Sequence, residues 1–242
     1  PDAAAVTMKY NNRDQLVLSQ DGNLLAAGKW MLVKYDDYGR PISSGLHTGA
    51  NPDPNNTGLA YNEQHTATTY GTSGVELGKI KTAQSWMPGG ASITRTYTYS
   101  TITGRMLTDN GANHLNGNTG SDNYTYAYDY AGNLLSETRA HKTSSASATL
   151  TLLTRRAYDH SGRNTALYHK INTNAEKQLA KYVYDFRDRL IDKSLDSVRV
   201  GSVSSWLQSI DYAYNEQNWL TSINSGSSFG ALSQDAIALC ST

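Results

Sequence analysis

The residues of this chain that could do chemistry are aspartates, arginines, tryptophans and histidines, and the aspartates recur in one setting. Asp36 with Asp37, Asp129, Asp159, and Asp185 with Asp188 form four groups, each opened by a tyrosine. A row of carboxylates along a sheet could hold calcium, an ion that needs six to eight oxygens converging on one point. One carboxylate per hairpin tip, with neighbours about 5 Å apart, does not converge in that way. The spacing favours a plainer role in which each aspartate caps its own turn. A paired-carboxylate glycosidase would need one acid of raised pKa in a cleft, and no pair is set apart for it.

The other candidates are weighed in the same way. Arg40, Arg105, Arg163 and Arg189 follow the turn in four places. They could form a ladder of positive charge on which a partner docks. Their recurrence with the turn favours a structural reading, each arginine lying over a neighbouring tyrosine or pairing with an adjacent repeat's aspartate. Trp86, Trp206 and Trp219 could make a sugar-stacking platform, but at strand positions they read as core anchors. The six histidines (His47, His65, His114, His141, His160 and His169) are scattered, chiefly in expected loops or turns, and do not read as a zinc site. Cys240 has no base near it in sequence and does not read as a nucleophile. There is no Gly-x-Ser-x-Gly elbow, phosphate loop, dinucleotide glycine pattern or His-Glu-x-x-His. No catalytic, cofactor-binding or metal residue is assigned, no cofactor is expected, and the chain is not expected to be an enzyme.

These residues sit on an internal repeat. The stretch Tyr182-Val183-Tyr184-Asp185-Phe186-Arg187-Asp188-Arg189-Leu190-Ile191 reads as two strands joined by a tight turn, with Tyr182 and Tyr184 on one strand face. Asp185 can open a type I turn, and the residue three further on must tolerate a left-handed backbone, which glycine does best. Tyr126-Ala127-Tyr128-Asp129-Tyr130-Ala131-Gly132-Asn133-Leu134 is the cleanest sister copy. Tyr35-Asp36-Asp37-Tyr38-Gly39-Arg40 and Tyr158-Asp159-His160-Ser161-Gly162-Arg163 keep Asp first and Gly fourth. Tyr212-Ala213-Tyr214-Asn215 through Asn218 uses asparagine at both places, and Tyr10-Asn11-Asn12-Arg13-Asp14 is a weaker match. Tyr97-Thr98-Tyr99-Ser100 through Gly104-Arg105 carries one extra residue, and Tyr70-Gly71-Thr72-Ser73-Gly74 reads as a degraded turn. The turn tyrosines at 99, 128, 158, 184 and 214 stand 29, 30, 26 and 30 residues apart.

Tyr-x-Tyr-Asp-x-x-Gly-Arg-Leu at such intervals resembles the RHS/YD-repeat family of toxin-complex shells, polymorphic toxins and teneurins, over nearly the whole chain to about Ser225. The run from Arg13 to Asn23, with Gly28-Lys29-Trp30 before Lys34-Tyr35-Asp36, is similar to long RHS-like surface proteins of Gram-negative bacteria. The resemblance implies an all-β fold, repeated antiparallel hairpins stacked into a spiral or partial β-shell, which in that family often encloses a toxic C-terminal domain. It implies as partners the remainder of a longer chain and its neighbouring repeats, an encapsulated C-terminal toxin domain, and a secretion or outer-membrane translocon protein. Localisation is then secreted or cell-surface, on the exterior of a bacterial outer membrane.

Composition agrees with a repeat of this kind. Lys plus Arg and Asp plus Glu number 21 each, so net charge is zero, and no basic stripe offers a footprint for nucleic acid or anionic lipid. Hydrophobic residues make up 38%, and 17 Tyr stand against two Phe, which suits a sheet wet on one side. A single cysteine rules out an intrachain disulfide. No run approaches the roughly 20 apolar residues of a spanning helix, so membrane insertion is not expected, and no signal peptide opens the sequence. Pro1 in place of Met reads as a processed or excised product.

The expected layout is a repeat segment over residues 1–224 with a loop insertion at about 45–78, then a linker-like tail over 225–242. Residues 47–61 read as a loop, because Asn51-Pro52-Asp53-Pro54-Asn55-Asn56 blocks helix and central strand. Trp30 reads as a buried anchor, and residues 24–33 lead into the second hairpin. Strands are expected at 80–85 and 93–99 around a Pro88-Gly89-Gly90 turn, with hairpin tips near 141–149 and 174–177. Two functions follow: a structural segment of a large RHS/YD-repeat protein, or an adhesin or glycan- and protein-binding module using exposed aromatics and the 47–61 loop.

Overall fold

Alternation of aromatic or β-branched residues with threonine dictates half-covered strands. In the strand Ser92–Tyr99, residues Ile93, Arg95, Tyr97 and Tyr99 are half-buried while Thr94, Thr96 and Thr98 face solvent. A computed structural model describes residues 5–87, 91–200 and 203–224 of the chain. Its sixteen strands form one antiparallel sheet whose hydrogen-bonded order is the order of the chain. The fold is therefore all-β and built from repeated hairpins, as the repeats predict. The Pro88-Gly89-Gly90 turn, the tail 225–242 and Cys240 lie outside the described residues.

The chain divides into two compact units, Pro1–Asn123 with Lys142–Ser147, and Tyr124–His141 with Ala148–Thr242. The first unit holds β1 (Thr7–Tyr10), β2 (Leu16–Gln20), α1 (Gly22–Ala26), β3 (Lys29–Tyr35), β4 (Pro41–Thr48), β5 (Glu63–Tyr70), β6 (Ile80–Trp86), β7 (Ser92–Tyr99) and β8 (Met106–Ala112). After β9 (Ser121–Tyr128), which begins in the first unit and ends in the second, come β10 (Leu134–Lys142), β11 (Leu150–Tyr158) and β12 (Asn164–Ile171). The second unit closes with β13 (Lys177–Tyr184), β14 (Leu190–Val200), β15 (Val203–Tyr214) and β16 (Leu220–Ile223). Exposed hydroxyls pair across neighbouring strands, Thr69 with Thr82 and Thr98 with Thr108, each at 2.7 Å. Such pairs stabilise the wet face of a sheet.

Two stretches depart from the sequence reading. The lead into the second hairpin begins with a short helix, Gly22–Ala26, which the sequence reading did not include. Asp21 caps α1 by accepting from the Leu24 N–H at 2.8 Å, and Gly28 ends the segment at φ +61°. The span 45–78 is not one insertion, because β4 continues to Thr48 and β5 occupies Glu63–Tyr70. Residues 49–62 remain as the loop, and it folds back on the sheet. Leu59, 8% exposed, packs into a core of Val17, Leu18, Trp30 and Leu32, with Tyr35 and Tyr61 at its edge. Leu18 and Leu32 are cross-strand partners and are almost wholly buried. Trp30 is the anchor expected, 3% exposed, with its indole N–H donating to the Gly49 carbonyl. Gly45 is needed where the loop returns, since a Cβ there would stand 2.4 Å from the Glu63 carbonyl oxygen.

This loop is a structural part of the first unit. Leu59→Ala is expected to cost about 2–5 kcal/mol in urea denaturation, because the vacated volume lies under a loop fixed at both ends. A loss below about 0.5 kcal/mol would show that the loop only rests on the sheet.

Candidate functional site

Each repeat turn is built the same way. The tyrosine ending the first strand pairs with the residue opening the second, as in Tyr10 with Leu16, Tyr35 with Pro41, Tyr158 with Asn164, Tyr184 with Leu190 and Tyr214 with Leu220. The ladder slips by one residue just before each tyrosine, which turns the tip residues out of register. In the 185–189 turn, the Asp185 N–H donates to the Arg189 carbonyl at 2.9 Å and the Asp188 N–H to the Asp185 carbonyl at 3.2 Å. The turns opened by Asp36, Asp129, Asp159 and Asn215 repeat both bonds. The fourth residue is left-handed in every case: Gly39 at φ +81°, Gly132 at +107°, Gly162 at +78°, Asp188 at +64° and Asn218 at +66°. Tyr99 pairs with Met106 across the turn with the extra residue, where Gly104 is left-handed at +67°. Tyr70 pairs with Ile80 across a longer turn, so the degraded copy keeps its strand pairing.

The turn carboxylates cap their own backbone. Asp185 Oδ1 accepts from the N–H groups of Arg187 and Arg189 at 2.8 and 3.0 Å, and its Oδ2 accepts from Arg189 Nε at 2.7 Å. Asp36 and Asp159 do the same with Arg40 and Arg163. Asp129 uses Asn133 in place of arginine. Desolvation pushes the Asp36, Asp159 and Asp185 carboxyls up, but hydrogen bonds from their turns outweigh it and hold them below the ordinary range. The Asn133 amide is the largest influence lowering Asp129. Turns also occupy every second connection, so along each unit the tips stand about 10 Å apart, twice the distance a carboxylate row would need.

Arg40, Arg163 and Arg189 lie over the next repeat's tyrosine as expected, and Arg163 also pairs with the next turn's aspartate. Arg189 holds Asp185 and reaches the next turn, donating to the Asn215 carbonyl at 3.0 Å and to Asn218 Oδ1 at 3.2 Å. Its guanidinium lies 5.1 Å from the centroid of the Tyr214 ring. Arg163 bonds the Asp185 carbonyl and the Asp188 carboxylate and lies 4.9 Å from the Tyr184 ring. Arg40 lies 4.3 Å from the Tyr70 ring, and Lys79 takes the corresponding place over Tyr99 at 5.0 Å.

The tyrosine hydroxyls complete the link in a way the sequence reading missed. Tyr35 donates to the Leu16 carbonyl at 2.8 Å, Tyr70 to Pro41 at 2.9 Å and Tyr99 to Ile80 at 2.8 Å. In the second unit Tyr158 donates to Leu134, Tyr184 to Asn164 and Tyr214 to Leu190, each at 3.0 Å. The acceptor is always the residue that opens the second strand of the preceding repeat turn. Burial raises the Tyr35, Tyr99 and Tyr184 hydroxyls further above neutrality, which keeps them as donors. The signal was in the composition, for phenylalanine is rare in this chain and never fills the turn-tyrosine place.

The remaining candidates scatter. His47, His65, His141 and His169 lie on strands, contrary to the loop reading, while His114 and His160 lie in a loop and a turn. Among the described residues no three His, Cys, Asp or Glu side chains are grouped as metal ligands. Trp86 is half-buried in the first unit. Trp206 and Trp219 belong to the second, where Trp206 is eight residues up β15 from Tyr214, about 26 Å from the tip where Trp219 sits. Trp219 is no core anchor, being 71% exposed at the place sister turns give to arginine. Tyr38, Tyr130 and Phe186 are exposed at other tips. Beside the first two turns, under the 49–62 loop, lies a cleft of about 460 Å³ whose lining includes Asn12, Arg13, Tyr35, Asp37, Asn56 and Leu59.

No protein-family model and no curated protein matches the sequence. Solved structures that overlay on it include that of TcdB2-TccC3-Cdc42, at 12% identity and a TM-score of 0.40 over 89% of this chain. The Photorhabdus luminescens Tc holotoxin pore overlays at 12% identity and a TM-score of 0.38 over 90%. A porin-like protein from Bacteroides uniformis overlays at 12% identity and 0.32, over 83% of this chain and 84% of its own. The chain spans 13% of the length of the two toxin chains.

Two outcomes follow from the turn geometry. Tyr184→Phe removes one inter-repeat bond and is expected to cost about 1 kcal/mol in denaturant titration. The turn carboxylates have folded pKa values below their unfolded ones, so their contribution is complete above about pH 4 and is lost as pH falls through the depressed values. The urea midpoint should therefore hold steady from about pH 7 to 5, fall below about pH 4, and fall less steeply in Asp185→Asn. A midpoint that rises on acidification would contradict the assigned capping.

Proposed function

We propose that the chain is a structural segment of a large secreted or cell-surface RHS/YD-repeat protein, contributing wall strands to a β-shell around a C-terminal toxin or effector. The observation that carries this reading is the uniform link between successive turns. Tyrosine hydroxyl and arginine guanidinium tie successive hairpins together, and the turn-opening carboxylates are taken up by their own turns. A chain with one apolar core cluster among its described residues needs such links, since stability in a repeat array is a sum of units and interfaces. Its role is mechanical and not catalytic. Its partners are further repeats of the same chain, the enclosed domain, and a secretion or outer-membrane translocon. No part of the reading calls for nucleic acid or for insertion into a membrane.

The test is the parent protein, read and then imaged. Its open reading frame should carry further Tyr-x-Tyr-Asp-x-x-Gly-Arg copies and an export signal. Purified from the culture supernatant or cell surface, it should appear by electron microscopy as a hollow particle with its C-terminal domain protected from protease. A parent chain without further copies, or a particle with no interior, would overturn the proposal.

A further inference from the structure

The sequence holds two Asn-Gly dipeptides, Asn110-Gly111 and Asn116-Gly117, and the fold treats them in opposite ways. Glycine after asparagine puts no side chain in the path of its own backbone nitrogen toward the asparagine amide. What holds the glycine then decides whether that approach occurs. Gly111 lies inside β8, paired with Arg95 on β7, and its N–H donates to Asn123 Oδ1 at 3.2 Å. A Cβ there would stand 2.6 Å from the Thr94 carbonyl oxygen, so β7 packs directly against it.

Gly117 is the reverse case. It sits at the tip of the connection between β8 and β9, exposed, with nothing within 4 Å of a Cβ built on it. Among the described residues its N–H has no hydrogen-bond partner. Asn116 is exposed too, and its side-chain amide makes only a 3.4 Å contact with Thr119 Oγ1. The Asn116 carbonyl accepts from the Thr119 hydroxyl at 2.9 Å, a bond that an exposed tip opens at little cost. Asn116, Gly117 and Asn118 are left-handed in succession, at φ +45°, +65° and +65°. The loop is anchored on either side of this tip and not at it. Asn113 Oδ1 accepts from the Leu115 N–H at 3.0 Å, its Nδ2 donates to Asp122 Oδ2 and to the Lys142 carbonyl, and the Asn118 amide reaches the Ser92 carbonyl.

We propose that Asn116 is a site of spontaneous deamidation and that Asn110, in the same dipeptide, is protected by its strand. The Gly117 backbone nitrogen attacks Asn116 Cγ. The N–Cγ bond forms, the Cγ–Nδ2 bond breaks, and the side-chain nitrogen leaves as ammonia with the proton that Gly117 gives up. Water then opens the cyclic imide at either carbonyl, giving aspartate or isoaspartate. No oxidant, metal or enzyme enters the balance. The product adds one negative charge to a chain of zero net charge. Isoaspartate also lengthens the main chain by a methylene, at a tip where no strand register is set. The first unit thereby gains an acidic loop tip without losing its sheet.

The experiment is peptide mapping by mass spectrometry of the 242-residue chain after incubation at neutral pH, folded and in urea. In the folded chain, position 116 should turn to aspartate and isoaspartate at least about tenfold faster than position 110, because opening a paired strand costs far more than opening an exposed tip. In urea the two should convert within about threefold of one another, since only the fold separates them. Asn123→Ala removes the acceptor that holds the Gly111 N–H, and should raise the rate at 110 while leaving that at 116 unchanged. Conversion at 116 should quicken as pH rises, because the attacking nitrogen must first lose its proton. A folded chain that keeps Asn116 intact through an incubation that converts the urea sample would overturn the proposal. So would equal rates at 110 and 116 in the folded chain. None of these outcomes bears on the structural role above, which rests on the turns.

Discussion

A two-stranded hairpin cannot hide both its faces or both its edges, and this constraint governs the whole chain. The sequence meets it with a small polar device in place of a large core. A tyrosine hydroxyl reaches back to the carbonyl that opens the second strand of the preceding repeat turn, and an arginine reaches forward over the ring of the next tyrosine. Each contact is modest, about 1 kcal/mol for the hydrogen bond and about 0.5–1 kcal/mol for the cation over the ring. Their effect comes from repetition along an array in which every unit touches its neighbours. The turn aspartate serves the same end, because it fixes the arginine that makes the forward contact.

The device explains the composition. Phenylalanine would cover the same area as tyrosine but could not donate, and the chain has 17 Tyr against two Phe. Low hydrophobic content follows, since fully buried aliphatic side chains gather in the first unit around Leu18 and Leu32. In the second unit the most buried positions are the small residues Ala166, Ala180 and Ser194. Leu59 and Trp30 add to that cluster where the 49–62 loop is seated on the sheet.

Most of the architecture could be read from local rules. Tyr-Asp at the start of a turn and Gly, Asp or Asn three residues on fix a left-handed position, and every such residue named from sequence has positive φ. The alternation of 93–99 located its strand and both faces. What escaped depends on partners far along the chain. The Tyr184 hydroxyl acts 20 residues away at Asn164, and no local pattern names that carbonyl. The 49–62 loop looked like a polar excursion because a single leucine, Leu59, decides that it folds back. The helix at Gly22–Ala26 had its signals, Asp21 before it and Gly28 after, but five residues are too few for a periodic pattern. Trp219 misled because tryptophan near a strand reads as core, whereas here it fills the place of the turn arginine at an exposed tip. The cleft beside Arg13 and Asp37 was not legible, since three segments make it and only tertiary pairing brings them together.

The central claim is that arginine and tyrosine of successive turns act as one unit. A double-mutant cycle on Arg189→Ala and Tyr214→Leu, read by equilibrium denaturation, addresses it directly. The account predicts a coupling of about 0.5–1 kcal/mol between the two positions. Effects that add to within about 0.3 kcal/mol would contradict it, and would mean that neighbouring hairpins are held by their backbone pairing alone.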